Sequence, residues 1–290
     1  MKARRDWARI VLFSLPILFV VLFLLLPLLL TFVVSFWERV GFKFRPAFSF
    51  DSYQAIVEGA RLTVLERSLF VSIEATFLSL LIAYPIAHYL ALRARPSRAR
   101  LVLFLFTVPF LINYIIRNVA WTYLLGRNGP VNAAIQFAGL SAAPVDWLLY
   151  SDFAVFVGLV SSYMPFMVFP LVLSIAGIDR SYLESSALLG AGPLTTLRRI
   201  TLPLSMPGIF AAVIFGFVGC FGESAVPIIM GGVGYELMGN TITSSMDVLN
   251  YPLAAALTSV VVAVMLLLMA CWYLVFDMQS FLGRLLGARL

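Results

Sequence analysis

The sequence predicts an all-α integral membrane protein with six transmembrane helices. Three observations carry this. Apolar residues make up 62% of the 290 residues and charged ones only 12%, more apolar surface than a water-soluble domain of this size buries. The apolar residues gather into six runs, each long enough to cross about 30 Å of hydrocarbon. The basic residues fall unevenly on the two sides that those runs define.

The runs are residues 10–36, 68–92, 101–125, 153–175, 207–230 and 252–276. The first follows Lys2, Arg4, Arg5 and Arg9. It is too long for a signal-peptide core and lacks a small-residue cleavage site, so an uncleaved first span is expected. Prolines 16, 27, 85, 109, 165, 170 and 227 lie within the runs, which predicts a packed, kinked bundle whose neighbours re-satisfy the freed carbonyls. Cys220 and Cys271 both sit in apolar runs and read as small buried hydrophobes.

Orientation follows from Lys and Arg. One side holds Lys2, Arg4, Arg5 and Arg9, then Arg93, Arg95, Arg98 and Arg100, then Arg180, Arg198 and Arg199, then Arg284 and Arg289. The other holds Arg39, Lys43, Arg45, Arg61, Arg67, Arg117 and Arg127. The excess places both termini in the cytoplasm. It also accounts for the net charge of +6 without a nucleic-acid partner.

On the outer side, residues 37–67 mix Phe42, Phe44, Phe48, Phe50 and Tyr53 with charges, and Asp51 or Ser52 is the expected N-cap of a short helix through Glu58. Residues 126–152 contain a turn at Asn128-Gly129-Pro130 and a short amphipathic piece. Residues 231–251 are glycine-rich, then polar. With no repeat and no linker, residues 1–290 read as one domain.

The longest polar interruption on the cytoplasmic side is about residues 178–204. It reads as two short helices around a break at Gly190, Gly192 and Pro193: glycine permits positive φ, and proline suits the first turn of a new helix. The first helix holds Tyr182, Leu183, Ala187 and Leu188; the second places Leu194, Leu197 and Ile200 on one face, with Arg198 and Arg199 elsewhere, until Pro203 and Pro207 end the pattern. Such an element suits either docking on another protein or resting on lipid headgroups.

Enzyme chemistry finds little support. Neither lysine, Lys2 or Lys43, follows a glycine, so there is no Walker A loop; His88 is the single histidine, so there is no HExxH zinc site. Gly222-Glu223-Ser224-Ala225 departs from a G-x-S-G protease pattern at Ala225. No metal or other cofactor is expected.

Charges inside spans serve a pathway or a partner. Glu74 and Glu223 qualify, and the reading lets both reach one vestibule that attracts a cation, or lets each be hydrogen-bonded between helices. Asn113, Arg117 and Trp121 recur at i, i+4 and i+8, with Tyr114 and Asn118 beside them. On one continuous helix they share a face, which either lines a pathway or anchors the helix at the interface.

Glu184-Ser185-Ser186, Gly190 after three residues, and Ile200-Thr201-Leu202-Pro203 after nine more resemble the EAA loop of ABC-transporter permease subunits, with two serines for alanines. The resemblance implies the type I importer permease fold and makes this loop the coupling helix that enters a groove on an ATPase subunit. Glu184, Ser185, Ser186, Gly190, Ala191, Arg198, Ile200, Leu202 and Pro203 become the coupling residues. VPFLINYIIRNVAWTYLL with NGPVN, and GESAVPIIMGG with MGNTI and NYPLAAAL, further resemble the spermidine/putrescine permease subgroup. That implies a bacterial inner-membrane importer: a second related permease, two cytoplasmic ATP-binding subunits and an extracytoplasmic solute-binding protein. It passes a small organic solute, a polyamine first, by alternating access. Glu74, Asn113, Tyr114, Arg117, Trp121 and Glu223 are then the substrate-pathway candidates. Amino acids, opines or aminophosphonates are alternative solutes. An ion-driven secondary transporter and an intramembrane hydrolase are the alternatives of different class.

Overall fold

The apolar runs fold as helices because lipid leaves backbone N–H and C=O groups no other partners. The computed structural model describes residues 14–41 and 43–275. The expected basic positions before residue 10 and at Arg284 and Arg289, Phe42, and the outermost residues of the first and last expected spans lie outside the described residues. Among the described residues, four helices are long and apolar enough to cross a membrane: Ser14–Val34, Arg61–Leu92, Asp146–Ala176 and Tyr251–Cys271. Two bent helix pairs raise the number to six, so the multi-pass helical class holds.

Two compact units emerge. One comprises the described residues up to Thr63 together with Thr241–Leu266. It begins with α1 (Ser14–Val34). A small hairpin follows, β1 (Glu38–Val40) and β2 (Lys43–Arg45), pairing Glu38 with Arg45 and Val40 with Lys43. This hairpin was not anticipated. The expected short helix is α2 (Asp51–Val57), but neither Asp51 nor Ser52 caps it. Asp51 is itself helical, and the Ser49 hydroxyl accepts from its N–H at 3.0 Å. Phe36 stacks on Phe48 and meets Phe50 edge-on, so the aromatic residues form a cluster beside α1.

The other unit runs from Val64 to Asn240 and includes the described residues from Leu267 on. Most of α3 (Arg61–Leu92) belongs to it. Then come α4 (Pro96–Leu111), α5 (Tyr114–Leu125), α6 (Pro130–Phe137) and α7 (Asp152–Ala176). These are followed by α8 (Arg180–Leu188) and α9 (Pro193–Leu204), then α10 (Met206–Phe221) and α11 (Ala225–Met230). Outside the candidate spans, α12 (Met238–Asp247) occupies the segment expected to be a polar loop. The chain's last described helix is α13 (Tyr251–Val275). Cys220 is buried as expected, but Cys271 is exposed.

The second unit departs from the expected spans at two breaks. Residues 101–125 are not one helix: α4 and α5 meet at a bend of 93°. Ile112 and Asn113 are extended there, and the Asn113 Oδ1 accepts from the Ile115 N–H at 2.9 Å to cap α5. Residues 207–230 split after Phe221, and α11 starts afresh at Ala225. The helix carrying Pro203 ends one residue later, at Leu204 and before Pro207, as expected. A π-helical turn at Leu197–Thr201 widens the backbone just before Pro203.

Helix α7 is the spine of this unit. One apolar cluster gathers around Leu159, Val226 and Met230, the other around Met167, Leu171 and Ile175 with Ala83 and Ala87 of α3. Helices α7 and α10 approach closely at Gly208, whose N–H donates to the Ser174 hydroxyl at 3.2 Å. A Cβ at Gly208 would overlap Ser174 and the Pro170 carbonyl, a small-residue contact of the kind that joins membrane helices. Gly208→Val should therefore lower the melting temperature of the detergent-solubilised protein by roughly 2–10 °C, read by dye-based thermal unfolding.

Candidate functional site

Two sites take shape in the second unit. The first is the elbow between α8 and α9. Asp179 caps α8, its Oδ1 accepting from the Ser181 N–H at 2.9 Å. That N–H and the Ser181 hydroxyl hold the Asp179 carboxyl below its ordinary range. The cap is fully present above the unfolded carboxylate pKa and is lost as pH falls through the lowered value. At the other end, Gly190 takes φ +75°. Its N–H donates to the Ala187 carbonyl and the Ala191 N–H to the Ser186 carbonyl, both at 3.0 Å. This is the two-bond helix ending that requires a left-handed residue.

Pro193 opens α9, and the two helices are stitched by the Ser186 and Thr196 hydroxyls at 3.0 Å. A groove of about 560 Å³ runs along the elbow, lined among others by Ser185, Ser186, Gly190, Ala191 and Ile200. Leu188 and Leu189 are 89% and 87% exposed. Glu184, Arg198, Leu202 and Pro203 are also exposed, outside the groove. Past the elbow, the Ser205 hydroxyl meets the Tyr84 hydroxyl at 2.9 Å, and Ser174 donates to the Ser205 carbonyl. The elbow is thereby fixed to both α3 and α7.

The second site is a cleft of about 580 Å³ beside the two span breaks. It brings together Asn113, Tyr114, Arg117 and Glu223 from the expected pathway set, and adds Ser162, Tyr163 and Phe166 of α7. Glu223 is 7% exposed and fully engaged. Its Oε1 accepts from the N–H groups of Ser224, Ala225 and Val226 at 3.0, 2.8 and 3.3 Å. Its Oε2 accepts from the Tyr163 hydroxyl at 2.5 Å. The carboxylate thus caps α11 and ties it to α7. The hydrogen-bonded alternative describes Glu223.

Arg117 donates through Nη1 to the Pro109 carbonyl at 3.0 Å, bracing the 93° bend. Its Nε is buried without an acceptor, as is the Ser162 Oγ.

Glu74 and Trp121 do not join the cleft. Glu74 lies on an exposed face of α3 beside Phe70, Ile73 and Phe77 and is not among the residues lining the cleft that holds Glu223. Trp121 packs against the apolar cluster around Leu159 and Val226, because the bend at Asn113 leaves only one end of α5 beside the cleft. Tyr163 and Ser162 were missed by sequence reasoning. Their one signal was two polar tips within an apolar run.

A third constellation fixes the segment before α12. Arg67 pairs with Asp152 at 3.0 Å and lies over the Tyr235 ring, whose hydroxyl donates to Asp152 at 2.7 Å. Burial, then the Asp152 carboxylate, raise Tyr235 above its ordinary range and keep it protonated.

The family described as "Binding-protein-dependent transport system inner membrane component" matches residues 75–280. A spermidine/putrescine transport system permease protein, PotB of Escherichia coli (strain K12), is 35% identical over 256 residues, covering 87% of this chain and 92% of the relative. PotB of Haemophilus influenzae is 33% identical over 255 residues, covering 87% and 88%. A chain in the crystal structure of a bacterial alginate ABC transporter in complex with an alginate-bound periplasmic protein shares the fold. Its TM-score is 0.71 at 16% identity, with 93% of each chain covered.

Proposed function

The chain belongs to the family of binding-protein-dependent transport system inner membrane components, and from that premise we propose that it is a permease subunit of an ATP-driven importer of small aliphatic amines. Spermidine and putrescine are the first candidates, because they are the solutes in the names of its relatives. The whole chain acts as one permease domain, multi-pass in a bacterial inner membrane. A second related permease completes the pathway. Two ATP-binding subunits dock on the elbow, and an extracytoplasmic solute-binding protein delivers the solute. The excess of Lys and Arg supports placing both termini and the elbow in the cytoplasm. Catalysis of ATP hydrolysis belongs to the partners.

The elbow carries this reading. Leu188 and Leu189, almost fully exposed at its end, suit insertion into an apolar socket. Glu184, Arg198, Leu202 and Pro203 complete the contact surface. ATP closes the two docked subunits; the elbow passes that displacement through Ser205 to α3 and α7; the cleft is exposed alternately to the two sides. Each solute-bound or ATP-bound state shifts the equilibrium only by its differential affinity.

Tagged chain purified from its host tests the proposal. An ATP-binding subunit should copurify, and the reconstituted assembly should accumulate labelled amines from a panel of polyamines and amino carboxylates only with ATP. Absence of any nucleotide-hydrolysing partner, or uptake driven by an ion gradient alone, would refute it.

Glu74 belongs to the pathway in this proposal, since a carboxylate facing hydrocarbon is costly. An ion pair with partial solvent access is worth about 0.2–1 kcal/mol, so Glu74→Gln should reduce uptake of a dication up to about fivefold without lowering the melting temperature. Unchanged uptake would remove Glu74 from the pathway.

A further inference from the structure

The cleft beside the span breaks is built on the broken end of α4. A helix leaves its last four carbonyls without intrahelical partners, and they point along its axis. They also carry the negative end of the helix dipole. Within an apolar span, such a broken end is a place for a cation. Here the chain bends by 93° between α4 and α5, and Pro109, Leu111 and Ile112 line the cleft. No hydrogen bond among the described residues reaches the Leu111 or Ile112 carbonyl. The Pro109 carbonyl already receives a cation, since the Arg117 Nη1 donates to it at 3.0 Å. Access is open: Leu111 is 77% exposed, and Tyr114 and Phe166, which line the same cleft, are exposed as well. Aromatic faces attract ammonium groups and cover methylenes.

Charge decides what can sit there. Glu223 is the one carboxylate among the lining residues and Arg117 the one guanidinium. Glu223 acts on Arg117 electrostatically, without an ion-pair contact among the described residues. The two charges offset each other, so an added ammonium is unmatched while the guanidinium stays at the helix end. We propose that the broken end of α4 is the ammonium subsite for the transported amine, and that Arg117 occupies it until the solute displaces the guanidinium. Arg117 is thus a built-in competitor. It keeps the empty cleft neutral, and its return to the Pro109 carbonyl expels the solute. The ammonium takes the carbonyls of Pro109 and Leu111, with Tyr114 and Phe166 against its methylenes. Glu223, held by the Tyr163 hydroxyl and the α11 N–H groups, balances the charge through its field alone. A volume of about 580 Å³ is within the range of small-molecule sites. The inference rests on the importer reading and names how its site grips an amine.

Equilibrium binding of labelled putrescine is measured on the purified transporter assembly without its binding protein, so that only the membrane site is read. Arg117→Gln keeps a donor for the Pro109 carbonyl but removes the charge. It should bind putrescine about fivefold tighter than the wild type, or more, because a nearby like charge is gone. Arg117→Lys should restore the wild-type affinity. Tyr114→Leu and Phe166→Leu should each weaken binding about threefold. The sign at Arg117 is decisive, since replacing a residue that only braced the bend would weaken binding or leave it unchanged. Putrescine binding that is unchanged or weaker in a folded Arg117→Gln assembly therefore overturns the inference. So does unchanged binding in both aromatic variants, and these alone decide the subsite if Arg117→Gln does not assemble. The importer reading fails separately, by absence of an ATP-hydrolysing partner from the wild-type assembly.

Discussion

Gly190→Val is expected to cut ATP-driven uptake at least tenfold while the protein still inserts and purifies. Gly190 holds φ +75°, and a Cβ built there meets nothing within 4 Å. The penalty is therefore backbone strain alone, about 1–2 kcal/mol for an L-residue in the left-handed region and more for a β-branched one. Valine relieves it by unwinding the turn, which breaks the hydrogen bonds from Gly190 to Ala187 and from Ala191 to Ser186 and swings Leu188 and Leu189 away from their positions. A docking contact weakened by about 1.4 kcal/mol is a tenfold loss. The exposed elbow contributes little to the apolar core, so the melting temperature should fall only a few degrees. Gly190→Asn, which tolerates positive φ, should retain most uptake. Equal transport by the valine and asparagine variants would sink the coupling role of this turn.

Glu223→Leu carries the other large effect, on folding. Leucine fills the space but leaves the Tyr163 hydroxyl and the α11 N–H groups without their acceptor. Each orphaned buried donor costs about 1–3 kcal/mol, so two of them remove much of a marginal stability of about 5–15 kcal/mol. Recovery of monodisperse protein on fluorescence-detected size exclusion should fall at least tenfold. Glu223→Gln keeps a carbonyl oxygen for the N–H groups, and its amide can donate to Tyr163. It should purify nearly as well as the wild type. A leucine variant as stable as the glutamine one would mean that the cap is dispensable.

Much of this was legible in the sequence. The span-forming runs and the elbow stand out because apolar length and the Gly190–Pro193 break are local signals. The two interruptions within spans were not read correctly, and the reason is physical. Asn113 and Glu223 each act by capping a new helix inside an apolar run, and hydropathy averages over a single polar residue. Trp121 still shares the face of Arg117 on α5, but it lies one turn farther along the helix, where that face packs against the apolar cluster around Leu159. That Glu74 stays out of the cleft lining depends on which face α3 turns to its neighbours, and a long, evenly apolar helix does not write that locally. The β1–β2 hairpin and α12 lie in short segments whose form is decided by tertiary contacts such as the Met238 N–H donating to the Ser68 hydroxyl at 2.8 Å.

The Ser186–Thr196 hydroxyl contact has a mechanical consequence. It braces the angle between α8 and α9 from inside, so under the proposed docking role the segment is held in one shape before a partner arrives. On that proposal less conformational entropy is surrendered on association, and a push at Leu188 would travel onward as rotation of a stiff lever instead of being absorbed as bending.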